Sequence, residues 1–155
     1  MDFPLVNNMQ ERTGYWLAIT SRGYWGKIIE MSTWGFSEKH SKRVETVKEG
    51  DMAIVYLTAD GGRYPSSVGG VVEFRGKQVK LKEQTTFFDT LYPIRLKISV
   101  HDLFEPPLGF KHFIGKVSFV GSGKNWGAAL QGQSLKPISE KDYTIIMREI
   151  ERIMV

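Results

Sequence analysis

The sequence contains no cysteine, which excludes disulfide bonds, thiolate catalysis and cysteine-ligated zinc. No apolar run approaches the roughly 18 residues that a membrane-spanning helix needs. Residues 1–4 lack the basic start and apolar core of a secretory signal. From these absences we expect a cytoplasmic protein with no membrane partner.

Recognisable catalytic and metal-binding motifs are also missing. The three histidines, His40, His101 and His112, stand in no nucleophile or metal-ligand motif. Residues 121–124 (Gly-Ser-Gly-Lys) resemble a nucleotide-binding loop, but a Walker motif needs a glycine where Ser118 stands. We therefore predict no catalytic residue, no metal and no cofactor in this chain.

What the sequence does contain suits one globular domain. The length is 155 residues and 41% of them are apolar, with no repeat and no linker-like stretch. We predict an N-terminal extension over residues 1–12 and a single domain over residues 13–155. The net charge of +4 is compatible with a polyanionic partner but is too small to decide the question, because many basic domains bind no nucleic acid.

Hydrophobic periodicity predicts strands in the middle of the chain and helices towards its ends. Strands are predicted at residues 15–20, 52–57, 68–74 and 94–100, with a short additional one within 78–82. A short amphipathic helix is predicted over residues 24–31. Ser139 and Asp142 form a predicted capping box for a C-terminal helix. This order indicates an α+β fold with a mixed or barrel-like sheet.

Aromatic residues next to basic ones provide the first indication of a ligand. Trp34 is predicted to lie in a loop and is followed by Lys39, His40, Lys42 and Arg43. Aromatic rings stack on bases, and cations contact phosphates. A core-capping role for Trp34 is an equally good alternative on this observation alone.

Two further segments repeat the pattern. The basic residues within 75–82 precede Phe87 and Phe88, and Lys124 precedes Trp126. Three basic segments that each adjoin an aromatic residue favour nucleic-acid binding.

Several short segments, in their order and spacing, resemble the EVE domain, a PUA-like family related to the YTH readers of methylated adenine. They are residues 15–22 (YWLAITSR), 33–36 (TWGF), 92–98 (YPIRLKI), 124–126 (KNW) and 138–143 (ISEKDY). The resemblance covers residues 14–153, which is nearly the whole chain.

The resemblance implies a small curved β-barrel flanked by helices, with a pocket that receives a flipped-out, modified base. It implies that Trp34 lines this pocket and that Thr20 and Ser21 reach the edge of the base. It also implies another pocket wall at Phe88 or Tyr92, with Trp126 closing the pocket. Phosphate contacts are predicted from the nearby basic side chains: Arg22, Lys39, His40, Lys42, Arg43 and Lys124.

The resemblance leaves the polymer and the biological setting open. Our first hypothesis is DNA, with this chain as the N-terminal specificity domain of a modification-dependent restriction system of the McrB type. Its partners would be a fused or associated AAA+ GTPase and a nuclease. The alternatives are a stand-alone RNA-binding protein, an ASCH-like nucleoside amidohydrolase using Lys39, Thr20 and Glu83, and a protein-interaction domain with an incidental basic face.

Overall fold

A computed structural model describes residues 13–60, 63–80, 86–87, 90–120, 127, 130 and 132–155. The predicted extension over residues 1–12 lies outside this part of the chain.

The strands are β1 (Tyr15–Thr20), β2 (Thr33–Phe36), β3 (Met52–Leu57), β4 (Ser67–Phe74), β5 (Val79–Lys80), β6 (Thr86–Phe87), β7 (Thr90–Leu91), β8 (Ile94–Gly109) and β9 (Leu135–Ile138). The α-helices are α1 (Arg22–Met31), α2 (Ser41–Glu45) and α3 (Glu140–Met154). Short 3-10 turns cover Glu38–His40 and Phe110–His112.

One mixed sheet dominates the described residues. Its strand order is β2-β8-β4-β3-β1-β9, and β5 adds to β8. The central pair β1 and β3 is parallel, and the other pairs in this order are antiparallel. The register shifts once between β3 and β4 and twice between β4 and β8. Such bulges bend and twist a sheet, and the curved α+β fold that we predicted is confirmed.

Strand β1 is buried on both faces of the sheet. Trp16 and Ala18 pack into a core with α1 and α2, whereas Leu17 and Ile19 pack into a second core with α3. Neighbouring side chains of a strand point to opposite faces, so a strand between two helical layers is apolar at every position. This explains why β1 shows a continuous apolar run rather than an alternation.

A buried carboxylate joins the starts of β1 and β3. Asp51 is 2% exposed and accepts hydrogen bonds from Gly14 N (2.8 Å), Trp16 Nε1 (2.9 Å) and Lys48 N (2.9 Å). Gly14 is required at this place, because a Cβ there would lie 2.8 Å from a carboxylate oxygen of Asp51. The parallel pair is thus fixed at its beginning by one side chain.

Two predictions about elements need correction. Strand β8 runs past residue 100 to Gly109, and the alternation stops there because His101, Asp102 and Leu103 are all exposed. The capping box is only half formed. Ser139 Oγ accepts from Asp142 N (3.0 Å), but the Asp142 carboxylate accepts from Ser118 N (3.0 Å) and Oγ (2.5 Å) instead.

Candidate nucleic-acid interface

The junction between β1 and α1 brings together two of the predicted base-contacting residues. Thr20 ends the strand, and Ser21 caps the helix by accepting a hydrogen bond at Oγ from Tyr24 N (3.2 Å). Thr20 O accepts from Thr58 N (2.9 Å), which keeps the junction beside the end of β3. Both side chains are half-buried. Contact of Thr20 and Ser21 with a base stays a prediction.

Trp34 does not lie in a loop, and that prediction is wrong. It belongs to β2, pairs with Leu96 of β8, and is 2% exposed. Its ring centroid lies 6.0 Å from that of Trp25 and 6.4 Å from that of Phe36. Trp34 and Phe36 share one face of a strand that is too short to show a clear alternation, which is why the sequence pattern did not identify it.

Helix α1 links Trp34 to a second predicted pocket residue. Tyr92 is half-buried, and its ring centroid lies 5.9 Å from that of Tyr24. Tyr24 and Trp25 are consecutive, so the first turn of α1 contacts both Tyr92 and Trp34. Three other predicted site residues, Phe88, Lys124 and Trp126, lie outside the described part of the chain.

Arg22 makes protein contacts that the sequence did not indicate. Its Nη2 donates to Pro65 O (2.9 Å) and to Ser67 Oγ (2.7 Å), and its Cζ lies 4.7 Å from the ring centroid of Tyr64. Arg22 therefore holds the segment before β4 against the start of α1. Its predicted contact with phosphate stays a prediction.

The predicted phosphate-binding residues after β2 line an open groove of about 560 Å³. One wall carries Lys39, His40, Lys42 and Arg43, and the other is formed by residues 132–137. We call this the basic groove. The second wall was missed from the sequence, because it reaches the first only through the pairing of β9 with β1.

Charge in the basic groove has one sign. The second wall adds Lys136 to the cations of the first, and no carboxylate is among the lining residues that the structure describes. Burial, with help from the neighbouring Lys39 and Arg43 charges, lowers the pKa of His40 below its ordinary value of 6.5. His40 is therefore mostly neutral at pH 7, and the positive charge comes from the lysines and the arginine.

The described part of the chain has neither a cluster of metal ligands nor a membrane-spanning helix. No group of three or more His, Asp or Glu side chains there could hold a metal ion. None of its helices combines the length and apolar character needed to cross a bilayer.

Comparison with known proteins places the fold. A UPF0310 protein of Pyrococcus abyssi is 33% identical over 139 residues, which cover 85% of this chain and 96% of the relative. The structure of a hypothetical protein from Leishmania major is similar with a TM-score of 0.65 at 16% identity, over 94% of this chain and 99% of the other. A Zygosaccharomyces rouxii YTH domain, solved in complex with N6-methyladenosine RNA, gives a TM-score of 0.62 at 11% identity, over 89% of this chain and 86% of the other.

At these identities the two structural likenesses establish the fold. The sequence comparison goes further, because the model of the EVE domain family matches residues 14–149. The match spans the sheet from β1 to β9 and most of α3, and it shows that this chain belongs to the EVE domain family.

Proposed function

We propose that this EVE domain is a non-catalytic module that binds nucleic acid and receives one modified, flipped-out base at the β1–α1 junction. The observation that carries the proposal is the position of the basic groove beside that junction. Ser134 O accepts a hydrogen bond from Ile19 N (2.9 Å), and Leu135 pairs with Ala18. The groove wall therefore begins next to Thr20.

Electrostatics supports a polyanion as the ligand. Lys39, Lys42, Arg43 and Lys136 provide four permanent cations along one groove. Cations so arranged contact phosphates without reading sequence. The base would be read separately, by the residues at the strand end.

The free energy of binding a flipped-out base requires both the base site and the phosphate contacts. Extruding a base costs a few kcal/mol of unstacking, and less when the base is already unpaired. Stacking on an aromatic ring returns about 1–3 kcal/mol per base. Phosphate contacts in the groove would supply the remaining affinity.

The pocket is proposed with the residues that the family resemblance implies: Thr20, Ser21, Trp34, Phe88, Tyr92 and Trp126. Trp34 would contribute as a buried wall behind the base, because so little of its surface is exposed.

We further propose DNA as the polymer and a modification-dependent restriction system as the setting, with a GTPase and a nuclease as partners. RNA is the second candidate, and the Zygosaccharomyces rouxii YTH domain favours it because that domain was solved with N6-methyladenosine RNA.

The test is binding to matched DNA and RNA oligonucleotides, each with and without N6-methyladenine or 5-methylcytosine. We expect a preference for one modified oligonucleotide, and Thr20→Val should weaken it by about 0.5–1.5 kcal/mol, the contribution of one hydrogen bond. The same change at Thr144, in α3 on the opposite face of the sheet, is the matched control and should leave binding unchanged.

Two results would contradict the proposal. The first is the absence of binding to any of these oligonucleotides. The second is turnover of modified nucleosides that Lys39→Ala abolishes, which would make the chain an enzyme. Trp34→Ala is a poor test, because truncating a buried tryptophan costs about 3–5 kcal/mol of stability; Trp34→Phe keeps an aromatic ring in place.

A further inference from the structure

Tyr64 is an exposed aromatic residue with one ring face already covered. It is 47% exposed, and it is the one aromatic among the exposed large apolar side chains of the described residues. The guanidinium of Arg22 lies over its ring, with Cζ 4.7 Å from the centroid. A cation on one face of a ring leaves the opposite face available for stacking.

The ring is held in place from both sides. Asp60 N donates to Tyr64 O (3.0 Å), and Arg63 N donates to Asp60 O (2.8 Å), so the backbone of Arg63 and Tyr64 is tied to Asp60. The Arg22 side chain is in turn fixed by hydrogen bonds to Pro65 O and Ser67 Oγ. A side chain that is already ordered loses little conformational entropy when it binds a ligand.

The position of Tyr64 relates it to the proposed base site. Arg22 directly follows Ser21, and Ser67 pairs with Leu57, which pairs with Thr20. In the sheet, β1 lies between β3 and β9. Tyr64 is therefore on the β3 side of the β1 end, and the basic groove is on its β9 side.

Adjacent strands lie about 4.7–4.9 Å apart. The groove wall on β9 is one strand from Thr20 and the start of β4 is two strands from it on the other side, so the two features flank the junction within about 15 Å of each other. A strand of nucleic acid whose backbone occupies the groove would cross the junction and reach the ring. A base beyond the junction would then meet a flat aromatic surface backed by a positive charge.

We propose that Tyr64, supported by Arg22, stacks on the base next to the extruded nucleotide. This inference rests on the proposed function and adds a second base-binding position to it. It also gives Arg22 a role that does not need a direct phosphate contact.

The experiment measures affinity for the preferred modified oligonucleotide with Tyr64 replaced by Ala, Leu or Phe. Tyr64→Ala and Tyr64→Leu should weaken binding about 5- to 150-fold, which corresponds to the roughly 1–3 kcal/mol of one stacked base. Tyr64→Phe should bind like the unaltered protein. Met31→Ala is the matched control, because Met31 is also 47% exposed and lies at the far end of α1.

A fluorescent base provides a readout that a change in folding would not mimic. With 2-aminopurine placed on either side of the modified nucleotide, stacking on Tyr64 should quench its emission at one of the two positions. Tyr64→Leu should remove that quenching, and Tyr64→Phe should keep it.

The outcomes separate the two proposals. If the unaltered protein binds the oligonucleotide and Tyr64→Ala binds it equally well, this inference is wrong and the proposed function stands. If no oligonucleotide binds at all, both are overturned. Weakening by Tyr64→Leu with unchanged 2-aminopurine emission would also overturn the stacking role.

Discussion

At the scale of single residues, Asp51 shows how one side chain fixes a topology. Its carboxylate accepts three hydrogen bonds from residues before β1, within β1 and before β3. In the folded protein, the Asp51 carboxylate takes the place of water as the hydrogen-bond acceptor of each of these three donors. Leaving a buried donor without an acceptor destabilises the fold by more than the net stabilisation that the hydrogen bond provided.

Asp51→Asn is therefore expected to destabilise the fold by about 1–3 kcal/mol. The asparagine can keep its oxygen towards Trp16 Nε1 and Lys48 N, but its NH₂ group then faces Gly14 N, which is left without an acceptor. Urea denaturation measures the difference. Asp60→Asn, at an exposed position, is the control and should change stability by less than about 0.5 kcal/mol; equal effects at the two sites would contradict the argument.

The tryptophans show what sequence reasoning can and cannot find at this scale. Trp16 and Trp25 lie inside the predicted strand 15–20 and the predicted amphipathic helix 24–31, and they are 6% and 5% exposed. Trp34 was predicted to lie in a loop, yet it is the most buried of the three. Its strand has only four residues and pairs with β8, about sixty positions away in the chain, so no local pattern could indicate its burial.

At the scale of elements, the strands with the simplest environment were the most predictable. The predicted bounds of β1 and β3 agree with the structure, because both are short, apolar and bounded by turn residues. Strand β8 was predicted too short, because its second half crosses two register shifts and exposes polar side chains. Local periodicity ends where a bulge changes which face each side chain occupies.

Two glycines differ in the space available for a side chain. A Cβ at Gly70 in β4 would collide with the backbone carbonyl oxygen of Asp102, whereas a Cβ at Gly26 in α1 would meet no atom within 4 Å. Gly70→Ala should therefore destabilise the protein by about 1–3 kcal/mol. Gly26→Ala should stabilise it by about 0.5–1 kcal/mol, because glycine is entropically costly inside a helix.

Thermal unfolding of the two variants measures the expected loss of stability at Gly70 and the expected gain at Gly26. Both variants carry the same change from glycine to alanine. A loss of stability at Gly26 would show that the exposed face of α1 makes contacts beyond those described. An unchanged stability at Gly70 would show that β4 and β8 can separate without cost.

At the scale of the whole molecule, the basic groove illustrates why function was only partly predictable. One wall, residues 39–43, is a visible charge run in the sequence. The other wall is almost a hundred positions later, and Lys136 has no basic neighbours that would mark it. Only the pairing of β9 with β1 brings Lys136 to the same groove.

The basic groove and the base site should contribute to binding independently, the first to its salt dependence and the second to the preference for the modified base. Lys42→Gln and Lys136→Gln should each flatten the plot of log affinity against log salt, by about 0.7 for single strands or about 0.9 for duplex DNA per lost phosphate contact. The preference for the modified base should not change. Lys141→Gln, at an exposed position in α3, is the control and should leave the slope as it is.

One result would show that the phosphate contacts are not in the basic groove. If the two groove variants alter the preference for the modified base and leave the salt slope unchanged, the groove contacts the base rather than the backbone of the nucleic acid.

Among the residues that the structure describes, strand β9 ends the strand order of the sheet, and such an edge can recruit a strand from another molecule. Pro137 has no N–H to offer a further strand, and a lysine on an edge strand, here Lys136, disfavours strand addition. The residues that give this groove its charge and shape thus also oppose edge-to-edge aggregation. The sheet can keep this edge open to a ligand without opening it to another copy of itself.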